Sequence, residues 1–137
     1  MKPMLRRIDI VAMIVLACAL SAAAYGQRGG LPHGPTDAEM AALPQYCHAR
    51  MRDDPSLKRL WERQMGRDQF VHVHHHCIAL NFMSRANAEF DPNRRKFFLQ
   101  RAVSNFDYVL KRWPEGFPLT AEARNYKIQA ESQLRLY

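Results

Sequence analysis

The clearest pattern in the chain is an apolar stripe in its second half. Apolar residues follow one another there at spacings of four, four, three and four, and they are Phe98, Ala102, Phe106, Val109 and Trp113. Such spacings place side chains on one face of an α-helix. The Asp91-Pro92 pair ahead of the stripe is a helix-start signal, and Pro114 is a stop signal. The pattern predicts an amphipathic helix that begins at Asp91 and ends near Trp113.

Helical segments are also predicted on either side of this helix. A segment from about Val71 to Glu89 precedes it. After a turn rich in proline and glycine, Thr120 is placed to cap a last helix that runs to about Leu136. The inner side of the last helix is expected to carry Ala123, Tyr126, Ala130 and Leu134.

Two shorter helical pieces are predicted nearer the N-terminus. Thr36 and Glu39 have the spacing of a capping box, in which each side chain bonds to the other residue's backbone amide. A short helix should therefore begin at Thr36. Pro44 interrupts it, and because proline is tolerated in a first helical turn, residues 44–52 can restart as a second piece.

A further helix is predicted between Asp54 and Gly66, over Pro55 to Met65, because these residues are start and stop signals. Its apolar face would carry Leu57, Leu60, Trp61 and Met65. Only residues 70–74 alternate with the period of a strand, and that run is too short to build a sheet. The predicted class is all-α, with one helical domain over residues 36–137.

The two longest predicted helices and the segment after them resemble a tetratricopeptide repeat over about residues 72–134. The positions that carry the motif of the first repeat helix are His75, Ile78, Ala79 and Phe82, and those of the second are Ala102, Phe106, Val109 and Pro114. Leu119, Ala123, Tyr126 and Ala130 match the beginning of a next repeat.

The chain departs from the repeat in three ways. His75 replaces the usual tryptophan, Val109 replaces a small residue, and the two sets of motif positions lie about three helical turns further apart than the repeat expects. Lengthening both helices by about a turn and a half would keep them facing each other. The resemblance implies antiparallel helical hairpins that bind a protein or peptide on a helical surface and are not themselves catalytic.

The N-terminal residues predict export. A basic start, an apolar run from Ile10 to Leu20 and an alanine-rich end are typical of a signal peptide over residues 1–24. A retained anchor helix and a lipid-modified Cys18 are the alternatives. Residues 25–35 are rich in glycine and proline and are expected to form a flexible leader. The predicted location is periplasmic or otherwise exported.

The charge of the chain adds little about its function. The formal net charge is +7, and cleavage after residue 24 would remove three basic residues and one acidic residue, which leaves +5. The basic residues are scattered among acidic ones, as on solvated helix faces. We therefore expect no nucleic-acid partner and at most a peripheral contact with a membrane, while an acidic partner stays possible.

Two cysteines remain after the predicted cleavage, Cys47 and Cys77. An even count in an exported domain indicates a disulfide. This bond would join the N-terminal helical pieces to the start of the hairpin.

The run from His72 to Cys77 holds four of the six histidines of the chain. On a helix His72 and His76 would share a face that His75 borders, which suits zinc or copper, with His48, Cys47 or Cys77 as a further ligand. A disulfide at Cys77 would exclude that thiolate. The alternatives are structural roles, with His75 on the inner stripe, and a pH-sensitive interface.

No enzyme template fits the sequence. Ser84 and Ser104 lack the glycine elbow of a hydrolase, and there is no phosphate-binding glycine loop and no zinc-hydrolase motif. The preferred hypothesis is an exported, disulfide-bonded adaptor or small subunit of an envelope protein assembly, without a cofactor. The runner-up is a periplasmic metal-binding protein. The expected contact surface is the hairpin groove and four aromatic residues, Trp61, Tyr108, Phe117 and Tyr137.

Overall fold

A computed structural model of the chain describes residues 31–137. Its helices are α1 (Asp37–Ala41), α2 (Gln45–Met51), α3 (Pro55–Met65), α4 (Arg67–Phe70), α5 (Val73–Ala88), α6 (Pro92–Leu110) and α7 (Thr120–Leu134). Residues 31–137 contain no strand, so the predicted all-α class is confirmed. The predicted signal peptide, Cys18 and the leader as far as residue 30 lie outside the described residues.

The predicted capping signals form at the N-terminal helices. The backbone amide of Glu39 donates to the Thr36 hydroxyl at 3.3 Å, and the amide of Thr36 donates to the Glu39 carboxylate at 2.7 Å. Asp54 caps α3 by accepting from two backbone amides at 3.0 Å each. Gly66 ends α3 with a φ of 83°, a value that favours glycine.

The start of α5 differs from the prediction. A helix from about Val71 was expected, but the short helix α4 intervenes and α5 begins at Val73. The positive φ of Gly66 changes the direction of the chain after α3, and α4 forms the corner between α3 and α5. Phe70 at the end of α4 is buried and anchors this corner in the core.

Helices α5 and α6 form an antiparallel hairpin around which the core is built. Near one end His75 contacts Asn105, and near the other the rings of Phe82 and Phe98 stack 6.1 Å apart. The predicted stripe is buried throughout, with Phe98, Ala102, Phe106 and Val109 on α6 and Trp113 in the turn after it. The helix ends at Leu110, three residues before the predicted end near Trp113.

Helix α7 packs against α6 in the opposite direction. The ring of Tyr126 stacks on Phe106 at 6.2 Å, and Lys127 forms an ion pair with Asp107 at 2.7 Å. The predicted cap is wrong, because Leu119 holds the N-cap position and the Thr120 hydroxyl donates instead to the carbonyl of Pro114. On the predicted inner side, Ala123 and Ala130 are fully buried and the two larger residues are half-buried.

Helix α3 makes only a partial contact with this core. None of its residues is fully buried, and Leu60 on the predicted apolar face is 40% exposed. Trp61 makes an edge contact with Tyr46 of α2 at 5.9 Å. The helix is therefore attached at one edge of the domain.

A disulfide joins α2 to α5, as the cysteine count predicted. The bonded residues are Cys47 and Cys77, with their Cα atoms 5.6 Å apart and both side chains fully buried. Closing a loop of this length contributes about 3–4 kcal/mol on the loop-entropy model.

Arg85 of α5 holds the segment that precedes α1. Its guanidinium donates to both oxygens of Glu39 at 2.7 and 2.8 Å, and also to the carbonyls of Pro32 and Gly34. Flexibility was predicted for residues 25–35, and in this structure two carbonyls at the end of that segment are bonded to α5.

Within residues 31–137, no helix has the length and apolar character needed to cross a bilayer.

Candidate binding groove and histidine run

An open groove lies where α5 and α7 meet the segment that joins α1 to α2. Its volume is about 350 Å³. The residues that line it, which together we call the groove, are Glu39, Ala42, Leu43, Pro44, Leu80, Asn81, Met83, Ser84, Asn87, Glu122 and Tyr126. Pro44 and the capped end of α1 shape one wall, and two long helices shape the others.

Helical spacing explains which side chains face the groove. Leu80, Ser84 and Asn87 follow one another at intervals of four and three, and so share one face of α5. Glu122 and Tyr126 are one turn apart on α7. The groove combines half-buried apolar surface with polar groups that can form hydrogen bonds, a mixture typical of surfaces that bind other proteins.

Glu122 connects the groove to a buried polar network. One of its carboxylate oxygens accepts a hydrogen bond from the Tyr46 hydroxyl at 3.0 Å and one from Nε2 of His76 at 3.1 Å. The bond from His76 lowers the pKa of Glu122, and burial raises the pKa of Tyr46 with the help of the nearby carboxylate. The two donors hold Glu122 ionised and fixed at the wall of the groove.

The structure places the three histidines of the predicted metal site in different surroundings. His72 lies ahead of α5, with its Nδ1 3.3 Å from the Tyr108 hydroxyl. His75 bonds through Nδ1 to the side-chain oxygen of Asn105 at 2.8 Å and stacks on the Tyr108 ring. His76 is fully buried and bonds to Glu122.

The predicted ligands therefore do not converge on one point. His72 is the N-cap of α5, one turn before His76, but its ring lies against Tyr108 whereas the ring of His76 is buried against Glu122. The further ligands considered are engaged elsewhere: the two cysteines form the disulfide, and Nε2 of His48 lies 3.2 Å from the carbonyl oxygen of Leu43. Among residues 31–137, no three His, Cys, Asp or Glu side chains are arranged to hold a metal ion.

The four aromatic residues expected at the contact surface differ in exposure. Phe117 was expected to be exposed and is 5% exposed, because it packs on Trp113 with ring centres 4.5 Å apart. Trp61 and Tyr108 are half-buried. Tyr137 is 45% exposed. The surface expectation for Phe117 is thus wrong, since this residue belongs to the core.

Two features of the surface were missed by sequence reasoning. Glu122 is the residue shared by the groove and the buried network, and no local pattern in the sequence relates it to Tyr46 or His76. Asn105 and Tyr108 of α6 and Arg112 just after it lie beside the histidine run, and Arg101, one turn before Asn105, contacts Nδ1 of His33 at 3.2 Å. Their spacing of four, three and four was a usable signal for a shared helix face.

A comparison of the chain with protein-family models, curated proteins and solved structures finds no match in any of the three.

Proposed function

We propose that this chain is an exported, disulfide-bonded helical module that binds a protein partner in the groove. In this role it is an adaptor or small subunit of an envelope assembly and performs no chemistry itself. The tetratricopeptide-like arrangement of α5, α6 and α7 belongs to the same proposal.

The observation that carries the proposal is the groove itself. Leu80 and Tyr126 present half-buried apolar surface, and exposed Ser84 and Asn87 lie beside them on α5. A helix face at the bottom of a groove that combines apolar and hydrogen-bonding side chains is suited to binding a peptide segment. Glu122, fixed by its two donors, offers a preorganised acceptor for a backbone amide or a basic side chain.

The buried disulfide supports the exported location. Disulfides persist in oxidising compartments and are rare in the cytosol of most organisms. The bond between Cys47 and Cys77 is fully buried and joins two helices of the domain, as in a structural disulfide. It agrees with the signal peptide predicted for residues 1–24.

Site-specific cross-linking tests the proposal. A photoreactive residue introduced at Ser84 in the groove should give a discrete, saturable protein adduct in the native host. The matched control is Ser132, which is also an exposed serine on a long helix but lies outside the groove. Adducts of equal yield from both positions, or none from Ser84, would show that the groove does not bind a partner.

A blocking variant tests the same point by loss of binding. Ser84→Arg should reduce recovery of the cross-linked partner at least tenfold, whereas Ser132→Arg should not reduce it. Far-ultraviolet circular dichroism checks that both variants keep their helix content. Unchanged recovery with the folded Ser84→Arg protein would contradict the proposal.

A further inference from the structure

The histidine run forms part of a second surface, on the side of α5 away from the groove. We call it the basic strip, and its residues are His72, His75, Arg101, Asn105, Tyr108 and Arg112. Leu80 and Ser84 of the groove lie more than about 100° around α5 from His75. The basic strip and the groove are therefore separate surfaces of one hairpin.

Stacked planar groups form the centre of the basic strip. The guanidinium carbon of Arg112 lies 3.5 Å from the centre of the Tyr108 ring, and the His75 ring lies 3.7 Å from that centre. Two groups this close to one ring centre must lie on its opposite faces. The ring of His74 lies 4.3 Å from that of His75, tilted by 42°. The stacking holds Arg112 and His75 at the surface with little side-chain freedom left to lose on binding.

Hydrogen bonds set the proton positions on two of the rings. Asn105 donates its amide to the carbonyl of Arg101 at 2.9 Å, so its side-chain oxygen faces His75 and accepts from Nδ1. Nδ1 of His74 likewise donates to the carbonyl of Val71 at 2.9 Å, because a carbonyl oxygen only accepts. A neutral ring so held carries no proton on Nε2. One added proton turns that atom into a donor and makes the ring a cation.

The surrounding charges favour an anion over a metal cation. Arg50, Arg101 and Arg112 form no ion pair with a carboxylate among the described residues. Arg50 donates to the carbonyl of Val71, and Arg101 contacts His33, whose pKa is lowered by burial and by Arg101 and His75. Asp107 beside the strip pairs with Lys127 of α7. Asp68 lies near Arg50 in a neighbouring hollow. A cation bound at these histidines would face several positive charges, whereas an anion would be attracted by all of them.

We infer that the basic strip binds an acidic segment of a protein partner. This inference rests on the proposed protein-binding function but uses a different surface. The strip extends about 16 Å from Arg101 to Arg112, which matches about five residues of an extended chain. Its guanidinium groups suit carboxylates, which they can bind through paired hydrogen bonds.

The structure favours a protein over other polyanions. The exported location proposed above, which the disulfide supports, makes a nucleic-acid partner the less favoured one. The strip lies along the seam between α5 and α6, and His72, His75 and Tyr108 in it are half-buried. A recessed seam of this kind suits a chain laid along it better than a flat lipid surface.

The affinity of the strip should rise as the pH falls. Burial, followed by Arg112, His75 and Arg50, lowers the pKa of His72. Burial also lowers the pKa of His74, with His75, Arg50 and His72 acting in the same direction and the bond to Val71 opposing them. Both rings are therefore neutral at pH 7.5, and a proton added to either ring at lower pH adds a positive charge to the strip. Carboxylates of a partner stay ionised down to about pH 4.5.

Fluorescence anisotropy with a labelled pentaglutamate peptide tests this inference. At low ionic strength the intact protein should bind the peptide at least tenfold more tightly at pH 5.5 than at pH 7.5. The double variant Arg101→Gln, Arg112→Gln should weaken binding about tenfold at both pH values. The double variant His72→Gln, His74→Gln should instead remove most of the pH dependence.

The control variant removes the same two charges elsewhere. Arg63→Gln, Arg135→Gln changes exposed arginines outside the strip and should bind the peptide like the intact protein. Equal weakening of peptide binding by the control variant would mean that net charge alone causes the effect, and would overturn the inference. So would equal binding of a five-nucleotide single-stranded DNA or of anionic vesicles. Cross-linking from Ser84 is a separate measurement, so failure of the groove and failure of the strip are distinguishable.

Discussion

Among the buried side chains of residues 31–137, that of Arg85 makes the most polar contacts. Its side chain is 4% exposed, and it binds both oxygens of Glu39 and two backbone carbonyls of the segment before α1. Glu39 in turn completes the capping box of α1. One arginine therefore attaches the N-terminal segment and α1 to the hairpin.

Removing Arg85 should be costly. Arg85→Met removes the guanidinium that bonds to the Glu39 carboxylate and to two backbone carbonyls, and we expect a loss of about 3 kcal/mol in the free energy of unfolding at pH 7. Urea denaturation followed by circular dichroism measures it. Arg94→Met is the matched control, because Arg94 pairs with Glu89 from an exposed position and should cost less than about 1 kcal/mol.

The same pair gives a defined pH dependence. The hydrogen bond from Arg85 lowers the pKa of Glu39 from its usual 4.5 to about 2. The contribution of the ionised pair is thus complete above pH 4.5 and is lost as the pH falls through 2. The stability gap between the intact protein and Arg85→Met should narrow over that interval. A gap that stays constant from pH 6 to pH 2 would show that the ion pair contributes nothing.

The histidine run shows where sequence reasoning at single residues fails. The types and spacing of His72, His75 and His76 indicated a shared helix face, whereas the partner of each ring comes from a distant part of the chain. The helix begins at Val73, and Glu122, 46 residues after His76, supplies that histidine's partner. Neither the start of the helix nor this distant carboxylate can be deduced from the run itself.

At the scale of elements, α6 is the helix that the sequence predicted best. Its start at Asp91-Pro92 and its buried stripe agree with the pattern of the chain. Two phenylalanines on this helix differ sharply in their surroundings: Phe106 is fully buried and Phe97 is 52% exposed.

This contrast gives a matched prediction. Phe106→Ala should lower the free energy of unfolding by about 3–5 kcal/mol, because it empties a core position between α5 and α7. Phe97→Ala makes the same chemical change on the same helix and should cost less than about 1 kcal/mol. Thermal denaturation of both variants measures the difference. Similar losses in the two proteins would contradict the core position assigned to Phe106.

The errors at the scale of elements have a common physical cause. Thr120 is a good capping residue by type, but its hydroxyl donates to the Pro114 carbonyl in the turn before the helix and does not cap the helix. Helix α4 was missed because four residues are too few to show a helical period. The face of α3 was correctly recognised as apolar, but the extent of its burial depends on what the core leaves uncovered.

The disulfide acts at the scale of the whole molecule. Chain length and cysteine count predicted it, and the domain places both cysteines in its interior. Cys47→Ala, Cys77→Ala and the double variant should each lose about 3–4 kcal/mol, because all three break one bond. Urea denaturation without reductant measures the losses. A double variant that loses about twice as much as either single variant would mean that the cysteines stabilise mainly through separate packing contacts.

The all-α class, the hairpin of α5 and α6 and the disulfide could be predicted from the sequence. The geometry of the groove and of the basic strip could not. Tyr46, His76 and Glu122 come from three helices, and no local pattern relates them. The spacing of Arg101 and Arg112 on α6 was visible in the sequence, but the stack that Tyr108 forms with His75 depends on how two helices meet.

The bond between Cys47 and Cys77 also makes part of the chain into a closed ring. Helices α3 and α4 lie inside that ring, and α3 has no fully buried residue. A single cut in the ring by a protease in the surrounding medium therefore does not separate the chain into two fragments. The stretch from α1 to Cys47 and the stretch from Cys77 to α7 remain one covalent molecule, with the groove still formed by both. The most accessible helix of the domain is thus also the one whose cleavage releases no fragment.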